Sequence, residues 1–281
     1  MQIVKDQAGL SAAIAGWHKE KPAIGFVPTM GALHEGHMAL VGRARQENTR
    51  VVASLFVNPA QFGPKEDLSR YPRTPREDEK QLCAAGVDLL YMPSVEDMYP
   101  DGVNATRHVE SIGDHLEGVF RPGHFDGVAT VVARLLQRVK PTRAYFGEKD
   151  WQQLQVVKRL ARDMNLPVEI IGVPTMREVD GLALSSRNRY LSVEERQKAA
   201  LVPAVLKTCA EKIRRDPSQI EAALIEGCKK LAAAGFRLDY LECAEAESCA
   251  PVRHLNKPAR VFVAAHLGGT RLIDNTEISN Q

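Results

Sequence analysis

Two histidines three residues apart follow an apolar run near the start of the chain, in the segment PTMGALHEGH of residues 28–37. The apolar run predicts a strand that ends here, and a helix is expected over residues 34–47 after a glycine-containing turn. The N–H groups and the dipole at a helix start attract anions. His34 and His37 would face the same side of the first turn, so their two donors suit a phosphate that gains charge during a reaction.

The His-x-x-His spacing, taken alone, also occurs for reasons unrelated to phosphate binding. A pair of surface or capping histidines is the more frequent case. A metal pair is another, although the order His-Glu-Gly-His differs from the His-Glu-x-x-His of zinc peptidases and no third ligand is evident. The chain has no G-x-x-x-x-G-K-[ST] and no G-x-G-x-x-G after a strand, which excludes a P-loop and a dinucleotide fingerprint.

A second polar segment, GEKDWQQLQ at residues 147–155, opens another predicted helix. Lys149 can supply a point charge to a phosphate, and Asp150 can bond ribose hydroxyls or a magnesium shell. Gln153 lies one turn further on and can bond a small polar substrate. The alternative, an N-capping loop with a solvated Lys-Asp pair, stays equally open for this segment alone.

The segment FVNPAQFGPKEDLSRYPRT, residues 56–74, follows the second predicted strand. The amide of Gln61 offers both a donor and an acceptor to a hydroxy acid. Glu77 and Asp78, at the start of the next helix, are candidate magnesium ligands. Acidic residues are also common in a first helical turn because they complement the helix dipole, and that alternative is the commoner one.

A late loop, DGLALSSRN at residues 180–188, contains two hydroxyls and an arginine. Such a loop can close over a triphosphate, since a guanidinium and hydroxyls all donate to phosphate oxygens. The same residue types also occur in an ordinary polar loop, so this segment alone is weak evidence for phosphate binding.

The elements that must position these residues alternate along roughly the first 175 residues. Strands are predicted at 23–27, 50–57, 87–91, 143–146 and 168–171, and helices at 34–47, 75–85, 127–139 and 151–164. Alternation of this kind predicts an α/β, Rossmann-like parallel sheet with right-handed crossovers. Ligands bind beyond the carboxyl ends of such strands, which is where the polar segments lie.

The pattern changes near residues 174–177, where we predict a domain boundary. Residues 1–175 are predicted to form a Rossmann-like ligand-binding domain, and 176–281 a smaller α+β domain. Ser192 with Glu195 and Ser218 with Glu221 resemble capping boxes ahead of two helices, the second of which is expected to stop at Gly235. Strands are predicted at 259–265 and 270–274, joined by a hairpin at Gly268-Gly269.

Composition excludes several classes of protein. The 281 residues carry a formal net charge of +2, which argues against broad nucleic-acid binding. The five cysteines form no C-x-x-C pair, so a disulfide framework or zinc ribbon is not expected. No apolar stretch approaches the length of a membrane helix and no signal peptide is evident. These features predict a cytoplasmic protein with no membrane partner.

Taken together, the segments resemble a known family. His-x-Gly-His after the first strand, with a late Ser-Ser-Arg loop, resembles the nucleotidyltransferase superfamily, whose corresponding motifs are called HIGH and KMSKS. Within it, the chain resembles the pantothenate synthetases in PTMGALHEGH, FVNPxQF, YPRT, RPGHFDGVATVV, YFGEKDxQQL and REVDGLALSSRN. These blocks span residues 28–190. The resemblance implies a ligase that joins pantoate to β-alanine with ATP, through a pantoyl-adenylate, and releases AMP and pyrophosphate.

The resemblance also implies roles for individual residues. Catalysis is expected from His34, His37, Lys149 and Arg187. ATP is expected to contact Met30, Gly31, Ala32, Leu33, His34, Glu35, Gly36, His37, Gly147, Glu148, Lys149, Asp150, Met176, Leu184, Ser185, Ser186 and Arg187. Gln61 and Gln153 match the glutamines that hold pantoate. Mg2+ is expected to bridge phosphate oxygens, with Asp78 and Glu77 as its candidate protein ligands, and the family implies a homodimer.

Two other functions remain open. Another adenylyltransferase of the same superfamily would need neither the paired glutamines nor this second domain. A non-catalytic nucleotide- or RNA-binding protein on the same fold would keep the sheet, but it would have no need of His34, His37 and Lys149, which are all present. Residues 121–125 suit either the site or a subunit contact.

Overall fold

The chain is described by a computed structural model over residues 1–17, 22–64 and 66–278. Lys65, which belongs to the 56–74 motif, lies outside the described residues. Contacts divide the chain into two compact units. The first unit comprises residues 1–109, 121–148 and 156–174, and the second comprises 110–120, 149–155 and 175–281.

The first unit contains a parallel sheet. Its strands are β1 (Gln2–Val4), β2 (Ile24–Thr29), β3 (Arg50–Leu55), β4 (Leu89–Tyr91), β5 (Arg143–Gly147) and β6 (Glu169–Val173). Their order in the sheet is β1-β4-β3-β2-β5-β6, and every pairing is parallel. Thr29 pairs with Leu55, so the carboxyl ends of β2 and β3 meet at one edge, where the histidine and Gln61 segments emerge.

The second unit contains an antiparallel sheet. Its strands are β7 (Arg237–Glu245), β8 (Ala259–Leu267) and β9 (Thr270–Ile278), in that order. Gly268, at the hairpin between β8 and β9, has a φ of 54°, a conformation that glycine adopts without strain. The α/β fold class, with a smaller α+β part, is therefore confirmed.

The helices lie between the strands along the chain. They are α1 (Gln7–Ala15), α2 (Glu35–Glu47), α3 (Pro75–Ala84), α4 (Val95–Met98), α5 (Glu117–Phe120), α6 (His124–Val139), α7 (Trp151–Asp163), α8 (Val193–Ala199), α9 (Leu201–Arg215) and α10 (Ile220–Ala233). Within the described ranges, none of them is both long and apolar enough to cross a membrane.

Each unit has its own apolar core. In the first, Leu40, Val41 and Ala44 of α2 are buried against Val27 of β2 and Val51 of β3, because their helical spacing places them on one face. In the second, buried side chains of α9 and α10 pack on the antiparallel sheet. This core includes Val202, Val205, Leu206 and Ile213 of α9, Leu224 and Leu231 of α10, and Val261 and Val263 of β8.

Most predicted elements are present, and one capping prediction is wrong. Ser192 and Glu195 form the expected capping box at α8. Ser218 does not cap α10, because its N–H and its hydroxyl both donate to the Asp216 carboxylate in a preceding 3-10 turn. Helix α10 then begins at Ile220 without a side-chain cap. Strands β1 and β7 were not predicted.

Candidate functional site

The two histidines cap the start of α2 and bond to each other's segment. His34 is the N-cap residue, and its Nδ1 accepts a hydrogen bond from the N–H of Gly36 at 3.1 Å. The Nδ1 of His37 accepts from the N–H of His34 at 3.3 Å. The centroids of the two rings lie 4.1 Å apart. The capping alternative is thus part of what these histidines do.

These bonds assign the tautomer of both rings. A backbone N–H can only donate, so each Nδ1 that accepts one carries no proton. A neutral imidazole then carries its proton on Nε2. His34 and His37 therefore present Nε2–H donors from adjacent rings at the amino end of a 13-residue helix, which is the arrangement that favours an anion.

The turn before His34 has an unusual backbone. Gly31 has a φ of 87° and Ala32 a φ of 51°. Alanine in this left-handed region costs of order 1–3 kcal/mol, so surrounding contacts must hold it there. Those contacts come from Asp78 of α3, whose Oδ2 accepts from the Ala32 N–H at 2.9 Å and whose Oδ1 accepts from the Leu33 N–H at 2.8 Å.

Asp78 and Glu77 do not fit a magnesium site in this structure. The Asp78 side chain is 1% exposed, and its Oδ1 also accepts from the Thr74 hydroxyl at 3.2 Å. Mg2+ requires six oxygen ligands in near-octahedral geometry and keeps several of its waters. The buried Asp78 carboxylate already accepts three hydrogen bonds, and its surroundings have no room for such a hydrated ion. Glu77 is exposed. No cluster of three or more acidic, histidine or cysteine ligands occurs among the residues that the structure covers.

Gln61 lies in a 3-10 turn, Pro59–Gln61, just beyond β3. Its side chain is 9% exposed. Its Oε1 accepts from Asn58 Nδ2 at 3.0 Å, so its Nε2 is the end that faces Met30 Sδ, 3.2 Å away. The amide is therefore oriented with its donor end toward the residue that precedes the histidine turn.

Asn58 is itself held from two sides. The Tyr99 hydroxyl donates to Asn58 Oδ1 at 2.6 Å, and Asn58 Nδ2 donates to the Gly127 carbonyl at 3.1 Å. Burial raises the pKa of Tyr99 to about 12, so its hydroxyl keeps the proton that it donates. A Cβ at Gly127 would lie 2.2 Å from the Ala60 carbonyl oxygen, so only glycine lets α6 approach the Gln61 turn this closely.

Arg121 and His124 bind the main chain of Gln61. His124 Nδ1 lies 2.8 Å from the Gln61 carbonyl oxygen, and Arg121 forms a two-point ion pair with Glu66, with nitrogen–oxygen distances of 2.8 and 2.6 Å. Arg121 Nη1 also lies 3.1 Å from His124 Nε2. Within this chain, Arg121 and His124 therefore support the Gln61 segment.

Gly147 is the last residue of β5 and Glu148 follows it; both belong to the first unit and are partly exposed. Lys149 and Asp150 come next, in the second unit. Lys149 Nζ and the Asp150 carboxylate are 3.9 Å apart, and the Lys149 side chain is 18% exposed. This distance exceeds that of a hydrogen-bonded pair, so Asp150 restrains the ammonium group only weakly.

The main chain of Lys149 is held by strand β9. Asn275 Nδ2 donates to the Lys149 carbonyl at 2.9 Å, and Asn275 Oδ1 accepts from Arg260 Nε at 2.7 Å. The Arg260 guanidinium lies 3.8 Å from the centre of the Trp151 ring, a cation–π distance. Sequence reasoning did not identify Asn275 or Arg260, since neither lies near a recognisable motif.

Gln153 is partly buried on the first turn of α7. Its neighbour Gln152 is 4% exposed and bonds the main chain of residues 112–117: its Nε2 donates to the carbonyls of Ile112 and His115, and its Oε1 accepts from the Glu117 N–H. The amide of Gln152 therefore has a structural role, since its hydrogen bonds hold the main chain of residues 112–117. Gln153 is the glutamine that remains the candidate for binding substrate.

The late loop is an ordered turn. The Leu184 N–H donates to the Met176 carbonyl at 2.9 Å, and Ser185 Oγ accepts from the Arg187 N–H at 3.3 Å. Ser186 is 8% exposed, Arg187 is partly buried, and Met176 is 42% exposed. The site residues of the second unit thus lie in two segments, 149–153 and 176–187.

Both segments are tied to adjacent residues of β9. Arg177 forms a two-point ion pair with Asp274, with nitrogen–oxygen distances of 2.6 and 3.0 Å. Asp274 is 4% exposed and directly precedes Asn275, which holds Lys149. The expected roles of these residues toward ATP stay predictions.

Similarity to known proteins was found at the level of family, sequence and structure. The family model described as Pantoate-beta-alanine ligase matches residues 2–277. A pantothenate synthetase from Pseudomonas paraeruginosa (strain DSM 24068 / PA7) is 50% identical over 280 residues, which cover 99% of both chains. A second, from Pseudomonas putida (strain W619), is 50% identical over 277 residues, 98% of this chain and 96% of that protein.

Among solved structures, two with these same names are similar to the chain over nearly its whole length. Pantothenate synthetase from Thermus thermophilus has a TM-score of 0.92 and 51% identity, and 99% of each chain is covered. Pantoate-beta-alanine ligase from Francisella tularensis, complexed with beta-gamma ATP and beta-alanine, has a TM-score of 0.83 and 37% identity over 100% of this chain and 99% of that one.

Proposed function

We propose that this chain, which belongs to the pantoate–β-alanine ligase family, condenses pantoate with β-alanine at the expense of ATP through a pantoyl-adenylate. The observation that carries the chemistry is that the Nδ1 atoms of His34 and His37 both accept main-chain N–H groups at the start of α2, which places the proton of each neutral ring on Nε2. Preorganised donors of this kind stabilise charge that develops on phosphate oxygens. Membership of the family supports the identity of the two organic substrates.

The reaction has two steps. A carboxylate oxygen of pantoate attacks the α-phosphorus of ATP, and the bond to the bridging oxygen breaks so that pyrophosphate leaves. The β-alanine amine then attacks the acyl carbonyl, loses a proton and expels AMP, which leaves the amide of pantothenate. Both steps are accelerated by orientation and charge stabilisation and need no covalent bond to the protein.

The residues divide between binding and charge stabilisation. His34, His37, Lys149 and Arg187 act on the phosphates, and the hydroxyls of Ser185 and Ser186 assist Arg187. The turn and helix start of residues 30–37 and the segment 147–150 cover the rest of ATP, with Asp150 on the ribose and Met176 and Leu184 on the adenine. Gln61 and Gln153 bind pantoate. In this assignment residues 1–175 carry most of the substrate contacts and 176–281 act as a lid.

Magnesium belongs to this proposal as part of the substrate. Mg2+ would enter bound to ATP and would neutralise charge on its phosphates, so it would need no cage of protein carboxylates. We further propose that the protein works as a homodimer in the cytoplasm. The net charge of +2 is consistent with small-molecule rather than nucleic-acid partners.

Isotope exchange between pyrophosphate and ATP tests the adenylate. We expect exchange that requires pantoate and does not require β-alanine, because the first step is complete without the amine. Another adenylyltransferase would not exchange with pantoate as its only acceptor. Exchange that appears only when β-alanine is present would remove the adenylate from the mechanism.

Substitution of either glutamine tests the pantoate site. Gln61→Ala and Gln153→Ala are each expected to lower kcat/KM for pantoate by about 10- to 200-fold, equivalent to roughly 1–3 kcal/mol, since a lost amide leaves a substrate hydroxyl or carboxylate unpaired. ATP affinity, measured by titration calorimetry, should change much less. Gln137→Ala, on an exposed position of α6, is the control.

The result for ATP decides the interpretation. If both variants lose ATP binding while their dependence on pantoate stays normal, the acid pocket lies elsewhere. For Gln61 the variant also removes the acceptor of Asn58 Nδ2, but Asn58 keeps its bond to the Gly127 carbonyl. The turn is therefore expected to survive the substitution.

A further inference from the structure

The carboxylate of Asp78 is fully committed within the first unit. Three donors converge on its two oxygens: the N–H groups of Ala32 and Leu33, and the hydroxyl of Thr74. The Thr74 hydroxyl therefore makes no capping bond at the start of α3, although Thr74 is the N-cap residue of that helix. Asp78 is separated from Ala32 by 46 positions in the chain, so the bond joins two distant segments.

The backbone that Asp78 binds is a turn with two successive left-handed residues. Gly31 and Ala32 have φ angles of 87° and 51°, and the N–H groups of Ala32 and Leu33 both donate to the Asp78 carboxylate. A Cβ at Gly31 would lie 3.0 Å from Asp78 Oδ2, so the carboxylate packs directly against the turn. Ala32 and Leu33 are both buried, which leaves Asp78 as the acceptor in place of water.

We propose that Asp78 is a positioning residue that holds the turn in front of His34, and not a ligand of magnesium. By holding the N–H groups of Ala32 and Leu33, it sets the direction in which the chain enters α2 and hence the positions of the His34 and His37 rings. This role rests on the proposed function only in so far as those rings act on ATP. The hydrogen bonds from Ala32, Leu33 and Thr74 to Asp78, called the Asp78 clamp, are a property of the fold.

Loss of the clamp has a defined consequence. Asparagine at position 78 has nearly the same shape, but one of its two ends is an NH2 group, which cannot accept the bond from Ala32 or Leu33. One buried N–H would lose its acceptor, and Ala32 would lose part of what holds its positive φ. The turn would relax and displace both rings, whose effect on phosphates depends on position.

The first experiment measures pyrophosphate–ATP exchange in Asp78→Asn over a series of free Mg2+ concentrations. We expect kcat to fall by about tenfold to a hundredfold, the cost of misplacing catalytic groups by about 1 Å, with an unchanged half-saturating Mg2+ concentration. Glu79→Gln, which removes one negative charge from the neighbouring position of α3, is the control and should keep full activity. Recovery of Asp78→Asn at high Mg2+ or Mn2+ would overturn the proposal.

The second experiment uses the unmodified protein, so it does not depend on the folding of a variant. Hydrogen exchange of the Ala32 and Leu33 amides is measured at single-residue resolution without ATP, with and without saturating Mg2+. The clamp predicts protected amides whose exchange Mg2+ does not change. Unprotected amides, or amides that Mg2+ deprotects, would show that the carboxylate is available to the cation and would overturn the clamp. Because no turnover is involved, this result is independent of the proposed reaction.

Discussion

Replacement of Lys149 by alanine is expected to lower the rate of adenylate formation by about a thousandfold, the loss typical of a group that stabilises transition-state charge. Among the described residues, the carboxylate recorded beside the ammonium group is that of Asp150, and at 3.9 Å it is too far away to hold the group by a hydrogen bond. Its charge is therefore available to phosphates as they rearrange. ATP affinity should fall far less than the rate, because the charge matters most when pyrophosphate departs.

The same variant should retain its fold. The main-chain carbonyl of residue 149 accepts a bond from Asn275, and a change of the side chain at position 149 does not remove that bond. Single-turnover formation of the adenylate and thermal unfolding, measured on the same sample, separate the two effects. Lys158→Ala, at an exposed position of α7, is the matched control. A near-normal single-turnover rate in Lys149→Ala would place this lysine among ordinary solvated residues.

The central sheet could be predicted because its strands are apolar runs buried on both faces. Phe26, Val27, Val51 and Val52 are all fully buried, so the sequence around them reads as short apolar segments between helical patterns. Strand β7 has no such signal. It lies at one edge of the antiparallel sheet, beside β8, and contains Arg237, Asp239 and Glu242, so polar residues interrupt the apolar run by which a strand is recognised.

The candidate site also has one part that could be predicted from the sequence and another that could not. His34 and His37 could be identified because their chemistry depends on a spacing of three residues within one turn. The side chains that hold the site come from far along the chain: Asp78 reaches the histidine turn, Asn275 reaches Lys149 across 126 positions, and Arg121 reaches Glu66 across 55. Such pairings are set by the packing of distant elements, and no local pattern in a single sequence reports them.

The last prediction separates the two roles of His34. Asparagine is among the best N-cap residues. Its Oδ1 can accept the hydrogen bond from the Gly36 N–H that His34 Nδ1 accepts in the parent protein. His34→Asn therefore keeps the cap but loses the Nε2–H donor. We expect adenylate formation to fall by about a hundredfold, as for the loss of one preorganised donor, while thermal unfolding stays close to that of the parent.

His34→Ala completes the comparison, because it removes both the cap and the donor. It should lose the same catalytic factor and, in addition, about 1 kcal/mol of stability from the missing N-cap. The measurements are single-turnover rates and denaturant unfolding of the asparagine and alanine variants. If His34→Asn were fully active while His34→Ala lost both activity and stability, capping alone would account for His34. The phosphate role would then fall to His37, whose Nδ1 accepts from the N–H of residue 34 whichever side chain stands there.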